Sequence, residues 1–398
     1  MEEKLAIYGG NPTRKNYLSY GKQKIDEDDM KEVIKVLKSD YLTTGPKVCE
    51  FEEKISEYVN SKYAVAFSSG TAALHAACYA AGIKEGDEVI TSPITFAASA
   101  NCILYCNAIP VFADINSETY NIDPEDIEKK ITCNTKAIIP VDFTGQSVEL
   151  DAIKEIARKN KLIVIEDAAH AIGTKYKGKC IGSISDMTVF SFHPVKTITT
   201  GEGGMVTTNN EEFYKKLILF RTHGITKDKD LLISKEEGPW YYEQIDLGYN
   251  YRITDIQCGL GISQLNKVNE FIKKRKEIVK IYNEELLKID GIIIQKEEKF
   301  SDTSRHLYII KLELEKFKVG RKEIFEALLA ENIGVNVHYL PVYLHPYYKN
   351  LGYNKGLCPR AEDLYKAIIT LPLHINMTKE DVKDVIRALN KVLGYYKI

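Results

Sequence analysis

One lysine of this sequence stands where its amine could do covalent chemistry. Lys196 lies in SFHPVKTITTGEGG, residues 191–204, between an apolar run typical of a strand and a glycine-rich stretch. Most lysines lie at the protein surface, and taken alone Lys196 fits that description. A lysine amine that is partly removed from water beside another cation has a lowered pKa and can act as a base. Its role therefore depends on the side chains that the fold brings beside it.

A second segment has the composition of a phosphate-binding helix start. In FSSGTAALHAA, residues 67–77, a strand-like run leads into Ser-Ser-Gly-Thr and then into a helix-forming sequence. Small residues let the backbone approach a ligand, and the first turn of a helix offers free N–H groups to an anion. Ordinary capping of the helix by serine or threonine would give the same pattern. Both interpretations remain open at this point.

An acid, a histidine and an aromatic residue follow other predicted strands. Asp167 and His170 lie in VIEDAAHAIG, residues 164–173, and Phe96 lies in SPITFAASAN, residues 92–101. Ligands of open α/β sheets bind at the carboxyl ends of the strands, and a carboxylate buried there needs a partner. Helix capping by the aspartate and core packing of the other two are the structural alternatives.

Together these residues supply the groups that pyridoxal phosphate requires. Its phosphate needs N–H and hydroxyl donors, and its ring needs a flat partner. Its pyridine nitrogen needs a carboxylate, and its aldehyde needs an amine for a Schiff base. The sequence therefore predicts a pyridoxal phosphate site at the strand ends of one sheet.

The elements that must hold this site alternate between strand and helix. Seven β-rich runs, most of them continuously apolar, occur at residues 63–67, 87–93, 109–115, 137–143, 162–168, 187–192 and 204–208. Continuous apolar runs with helices between them indicate a mostly parallel sheet that is covered on both faces. After about residue 250 the pattern changes to helix, strand, helix, strand, helix. We predict a large α/β domain over residues 1–255 and a smaller α+β domain over residues 256–398.

Composition excludes several classes of protein. The 398 residues are 44% hydrophobic and 28% charged, with a formal net charge of −2 and no polybasic stripe, so we expect no nucleic-acid partner. No signal peptide and no apolar run near the roughly 20 residues of a membrane span is evident. The eight cysteines are scattered, and Cys102 and Cys106 lack a second pair at zinc-site spacing. We expect free thiols, no metal and a cytoplasmic location.

The whole sequence resembles the DegT/DnrJ/EryC1/StrS sugar aminotransferases, which are fold-type I pyridoxal-phosphate enzymes. The resemblance rests on SSGTAALHAA, EDAAHAIG, FSFHPVKTITTGEGG, RTHG and GYNYRITDIQCGLGISQL. The segments SFHPVKTITTGEGG and NVHYLPVYLHPYY are similar to members of the family that act on UDP-4-keto-6-deoxy-hexosamines in pseudaminic acid biosynthesis. Members from bacillosamine and lipid A arabinose pathways share most core motifs. A histidine in place of Lys196 would have indicated one of the family's sugar dehydratases.

The resemblance implies a role for each site residue. Lys196 would form the Schiff base and carry protons, Asp167 would pair with the pyridine nitrogen, and His170 would lie near the ring hydroxyl or face. Phe96 would cover the other face of the ring. The residues implied to bind the phosphate are Gly70, Thr71, Ser191 and, from the neighbouring subunit of a homodimer with shared sites, Asn250. The residues implied to line the nucleotide-sugar pocket are Asp40, Tyr41, Leu42, Thr43, Asn336, Val337, His338 and Tyr339.

The implied reaction is amino transfer in two halves. L-Glutamate would leave its amino group as pyridoxamine phosphate and depart as 2-oxoglutarate. The amino group would then pass to C4 of UDP-2-acetamido-2,6-dideoxy-β-L-arabino-hex-4-ulose or of another nucleotide 4-keto sugar. Two alternatives come from other classes: a non-catalytic regulator with this fold, and a phosphate-binding nucleotide enzyme such as a kinase. The sequence contains neither an evident DNA-binding segment nor a G-x-x-x-x-G-K-[ST] motif.

Overall fold

A seven-stranded sheet forms the centre of the larger domain. The structure, a computed structural model, describes residues 4–234 and 237–398. The strands are β1 Tyr63–Phe67, β2 Glu88–Thr91, β3 Ile109–Phe112, β4 Thr135–Ile139, β5 Ile163–Asp167, β6 Met187–Ser191 and β7 Gly204–Thr208. Their order is β1-β7-β6-β5-β4-β2-β3; β7 is antiparallel to both neighbours, and all other pairs are parallel. The predicted mostly parallel sheet is confirmed.

Helices cover both faces of this sheet. They are α1 Glu27–Leu37, α2 Pro46–Val59, α3 Gly70–Ala80, α4 Ala98–Tyr105, α5 Pro124–Lys130, α6 Leu150–Asn160 and α7 Glu211–Arg221. Neighbouring residues of one strand enter different cores: Val164 packs in one cluster and Ile165 in another, on opposite faces of β5. Burial on both faces explains why the strand sequences are continuously apolar.

The smaller domain surrounds a three-stranded antiparallel sheet of β8 Ile292–Ile294, β9 Tyr308–Leu312 and β10 Ile368–Leu371. The remaining helices are α8 Asp255–Leu265, α9 Val268–Leu286, α10 Arg321–Ala330, α11 Pro346–Asn350, α12 Pro359–Ala367 and α13 Lys379–Tyr396. Short strands occur at Lys175–Tyr176, Lys179–Cys180, Ile225–Thr226, Glu243–Gln244 and Ser301–Asp302. Single 3₁₀ turns occur at Ala6–Tyr8, Phe143–Gly145, Leu314–Lys316 and Val342–Leu344.

The two cores meet within a single helix. The side chains of α8, such as Ile262, pack in the core beneath the large sheet, and so does Ile272 near the start of α9. Farther along α9, Ile278 and Tyr282 pack in the core of the smaller domain. The change of core therefore falls inside α9, while the boundary between residues 255 and 256 stays a prediction. Within the described ranges, no helix is both long and apolar enough to cross a membrane.

Candidate active site

A cavity of about 850 Å³ opens at the carboxyl ends of the sheet strands. Its walls come from the start of α3, the segment before α4, and the residues at and after the ends of β5 and β6. Residues 336–340 of the smaller domain close another side. The cavity therefore lies between the two domains, in the volume range usual for small-molecule sites.

Lys196 reaches this cavity from a tight turn after β6. Its backbone N–H donates to the carbonyl of His193 at 2.9 Å, which turns the chain back toward the cavity. Within residues 4–234 and 237–398, no hydrogen bond or ion pair is found for its amine. Burial lowers the pKa of Lys196 to about 8, and the charge of Asp167 partly opposes that shift. A larger fraction of this amine is neutral near pH 7 than for an ordinary lysine.

Asp167 ends β5 with its carboxylate fixed by two donors. Ser99 Oγ donates to Oδ2 at 2.6 Å, and the N–H of Ala169 donates to Oδ1 at 3.1 Å. The residue is only 4% exposed. Burial raises the pKa of Asp167, whereas the two hydrogen bonds and the charge of Lys196 lower it. An oriented carboxylate that faces a cavity can bind a cationic N–H of a ligand.

His170 lies beside the same cavity as a neutral ring. Burial holds the pKa of His170 well below its usual range, and the nearby Lys196 charge acts in the same direction. Its ring centre lies 4.4 Å from that of His306, and its Nε2 lies 3.5 Å from the Tyr339 hydroxyl. Its Nδ1 is buried with no hydrogen-bond partner in the described part of the chain. An unpaired buried nitrogen at a cavity wall is available to a ligand.

The start of α3 forms the predicted anion cradle, and it is also capped. Ser69 Oγ accepts the N–H of Ala72 at 3.1 Å, so Ser69 caps the N-terminus of α3. Gly70 lies against Ser191. A β-carbon added at this glycine would lie 3.1 Å from the serine hydroxyl oxygen. Gly204 runs directly behind the turn, where an added β-carbon would lie 2.4 Å from the carbonyl oxygen of Ser69. The capping and cradle interpretations are therefore compatible.

Phe96 and the segment Asn336–Tyr339 complete the walls of the cavity. Phe96 is 62% exposed at the edge of the cavity, and its ring centre lies 6.4 Å from that of Tyr339. His338 Nδ1 lies 2.9 Å from the Thr370 hydroxyl of β10, which ties this segment to the smaller domain. Core packing therefore does not explain Phe96, because a core residue would be covered by protein.

Two of the predicted contacts are not brought to this cavity by a single chain. Asn250 is exposed, and its backbone bridges to Thr222. Residues 40–43 are also exposed, with Thr43 bridged to Thr254 and the Leu42 carbonyl accepting the N–H of Asp255. Neither set is among the described residues of the cavity wall, so both roles stay predictions.

Several cavity residues were not anticipated from the sequence. Ser99, which holds Asp167, lies three residues after Phe96 on the first turn of α4, so helical spacing could have identified it. Tyr20 and His306 come from distant parts of the chain and carry no local signal. They reach the cavity only through tertiary packing.

Comparison with known proteins agrees with this geometry. The model of the DegT/DnrJ/EryC1/StrS aminotransferase family matches residues 23–390. The spore coat polysaccharide biosynthesis protein SpsC of Bacillus subtilis is 43% identical, over 96% of this chain and 98% of its own. The UDP-4-amino-4,6-dideoxy-N-acetyl-beta-L-altrosamine transaminase of Campylobacter jejuni is 42% identical, with the same two coverages of 96% and 98%.

Solved structures of similar fold are also aminotransferases. Helicobacter pylori PseC, an aminotransferase involved in the biosynthesis of pseudoaminic acid, has a TM-score of 0.89 at 35% identity, covering 96% of this chain and all of that one. Spr1654 from Streptococcus pneumoniae in its PLP-form has a TM-score of 0.88 at 33% identity, covering 95% of this chain and 99% of that one. The family match over most of the chain and these full-length relatives confirm the predicted fold class and resemblance: the protein belongs to the DegT/DnrJ/EryC1/StrS aminotransferase family.

Proposed function

We propose that this protein is a pyridoxal-phosphate-dependent nucleotide-sugar 4-aminotransferase. It takes an amino group from L-glutamate and delivers it to C4 of UDP-2-acetamido-2,6-dideoxy-β-L-arabino-hex-4-ulose, a step of pseudaminic acid biosynthesis. The observation that carries the proposal is the amine of Lys196 in a cavity that also holds the buried carboxylate of Asp167. The transaminase relative at 42% identity supports the choice of sugar.

The described residues fit pyridoxal phosphate. The start of α3 beside Ser191 suits the phosphate, and Asp167 suits a protonated pyridine nitrogen. The buried Nδ1 of His170 has no hydrogen-bond partner among the described residues and would be available to the cofactor. The relative solved in its PLP-form supports the same assignment. Phe96, exposed at the cavity edge, would lose its contact with water against the cofactor ring.

When bound, the cofactor supplies a carbonyl for the amine and a ring that withdraws electrons. The amine of Lys196 would hold that carbonyl until the amino donor displaces it. Once freed, the amine would take a proton from the α-carbon of the donor and, in the second half of the cycle, would deliver a proton to C4 of the sugar. Asp167 would keep a proton on the ring nitrogen, and His170, whose lowered pKa leaves it neutral, would lie beside the ring without competing for that proton. Residues 336–339 would position the sugar nucleotide and keep water from the cavity.

The acceptor sugar has a second candidate. The spore coat polysaccharide relative is 43% identical, as similar as the transaminase. A different nucleotide 4-keto sugar, of the bacillosamine or 4-amino-arabinose type, is therefore the second candidate. We propose a cytoplasmic location as well, since all eight cysteines are free, as is usual in a reducing compartment.

Incubation with candidate sugars and glutamate tests the proposed reaction. We expect the protein to convert the UDP-4-keto-6-deoxy-N-acetylhexosamine to its 4-amino product with one 2-oxoglutarate per turnover, measured by mass spectrometry and NMR. Faster turnover of a bacillosamine-type or arabinose-type 4-keto sugar would favour the second candidate. A protein that binds the cofactor but transfers no amino group to any of these sugars would support the regulator alternative.

We propose further that the site is shared across a homodimer, with Asn250 reaching the phosphate of the partner's cofactor. The exposed position of Asn250, outside the cavity of its own chain, supports this. Asn250→Ala should weaken cofactor retention about ten- to a hundred-fold, because a hydrogen bond to a charged group contributes roughly 1.5–3 kcal/mol. Equilibrium dialysis of the cofactor would measure this loss.

Mixed dimers distinguish a site shared between two subunits from a site formed within one subunit. When Lys196→Ala and Asn250→Ala chains are combined, one shared site carries both changes and the other carries neither. At limiting cofactor we therefore expect activity above the average of the two parents. Activity equal to that average, in dimers verified as mixed by native mass spectrometry, would mean that Asn250 serves its own subunit.

A further inference from the structure

Two buried carboxyl groups lie behind Asp167, outside the cavity. Asp142 and Glu166 both have no exposed surface. One oxygen of each is well bound: Asp142 Oδ1 accepts the N–H of Val148 at 3.0 Å, and Glu166 Oε2 accepts the hydroxyls of Ser185 and Thr188, each at 3.0 Å. The second oxygens, Asp142 Oδ2 and Glu166 Oε1, have no donor in the part of the chain that the structure describes.

These two carboxyl groups lie against each other. Each is within side-chain hydrogen-bond reach of the other. Burial raises the pKa of Asp142 well above its usual range, and the charge of Glu166 raises it further. Burial also raises the pKa of Glu166. Two ionised carboxylates in contact and away from water repel strongly, whereas one proton between them would satisfy both second oxygens.

The pair is joined directly to Asp167. Glu166 precedes it on β5, and the backbone N–H of Asp142 donates to its carbonyl oxygen at 3.1 Å. The negative charge of Asp167 also raises the pKa of Asp142. The cations acting on these carboxyls are Lys154 of α6, which acts on Glu166, and Lys196, which acts on Asp167. His170, also at the cavity wall, is neutral.

We propose that Asp142 and Glu166 share one proton and so keep a single negative charge behind Asp167, acting as positioning residues that hold the cofactor's ring nitrogen protonated. The effect on the ring nitrogen rests on the proposed function. The shared proton depends only on residues of this chain. A fixed negative charge behind Asp167 favours the protonated form of the nitrogen that Asp167 faces. Neither residue touches the cavity, so their effect passes through Asp167.

Infrared spectra of the cofactor-free protein test the shared proton. We expect the C=O stretching band of one protonated, buried carboxyl in the wild type and in Asp167→Asn at neutral pH. Asp142→Asn and Glu166→Gln should each remove the band, because each leaves one amide that donates to one ionised carboxylate. Absence of the band from the wild type, or its persistence in either amide variant, would overturn the shared proton whether or not the protein is an aminotransferase.

Nitrogen-15 NMR of labelled cofactor in the loaded protein tests the effect on the ring. Each single amide variant retains one negative charge and should keep the ring nitrogen protonated over the wild-type pH range. The double variant, Asp142→Asn with Glu166→Gln, carries no charge there, so the proton affinity of the ring nitrogen should fall about ten-fold, one pKa unit. Asp142→Ser with Glu166→Gln provides a second charge-free pair if the first does not fold. An unchanged ring nitrogen in a folded charge-free variant would overturn the positioning role.

Discussion

Lys196→Ala is expected to reduce amino transfer at least about a thousand-fold, since it removes both the nucleophile and the proton carrier. The measurement is steady-state turnover with glutamate and the 4-keto sugar. Lys177→Ala is the matched control, because Lys177 is an exposed lysine paired with Asp151 at the surface and should leave turnover unchanged. The fold should survive both changes, since no hydrogen bond of the Lys196 amine is found in the described ranges. Retention of appreciable turnover in Lys196→Ala would contradict the mechanism.

The chemistry of the amine can be followed directly. Borohydride treatment of the cofactor-loaded protein should fix the cofactor to Lys196, and peptide mapping would identify the residue. In the cofactor-free protein, the rate of reaction with pyridoxal phosphate should rise with pH and level off above about 8, because only the neutral amine adds to an aldehyde. A rate still rising steeply near pH 10, as for an ordinary lysine, would show that the amine is not in the environment described.

Asp167→Asn should preserve the fold but lower turnover about ten- to a hundred-fold or more. The neutral amide cannot hold a proton on the ring nitrogen, and a hydrogen bond to a charged group contributes roughly 1.5–3 kcal/mol. Thermal melting would verify the fold, and nitrogen-15 NMR of the labelled cofactor would report loss of the ring proton.

Ser99→Ala is the control for Asp167→Asn. It removes the 2.6 Å hydrogen bond to Asp167 and leaves the carboxylate charge in place. We therefore expect a smaller loss of turnover, with the ring nitrogen still protonated. Equal losses in the two variants would indicate that orientation of the carboxylate, rather than its charge, is what matters.

The sequence was most informative where local pattern and tertiary position coincide. Each predicted strand of the large sheet is present, because residues such as Val164 and Ile165 are buried on opposite faces and both must be apolar. Lys196 and Asp167 could be placed at one cavity because the parallel strands β5 and β6 end at the same edge. The topology of a parallel sheet thus converts positions along the chain into proximity.

The sequence was less informative where distant segments converge. Tyr20 and His306 reach the cavity from distant parts of the chain, and no spacing rule links them. The sequence pattern predicts a single helix before the first strand of the smaller domain, yet the structure has two, α8 and α9, divided at residues 266–267. Asn250 and residues 40–43 lie outside the cavity of a single chain, and their predicted roles rest on the family resemblance rather than on a local pattern.

The packing of Leu5 and Leu18 has a consequence for synthesis on the ribosome. Both side chains are buried in the core of the smaller domain, together with Leu389 and Val392 of α13. The large sheet can assemble while later residues are still being added, since its strands lie between residues 63 and 208. The core that buries Leu5 and Leu18 is complete only after α13 has left the exit tunnel. A message truncated before the codons of α13 would therefore yield a product with apolar groups exposed at both ends, a form that chaperones and proteases recognise.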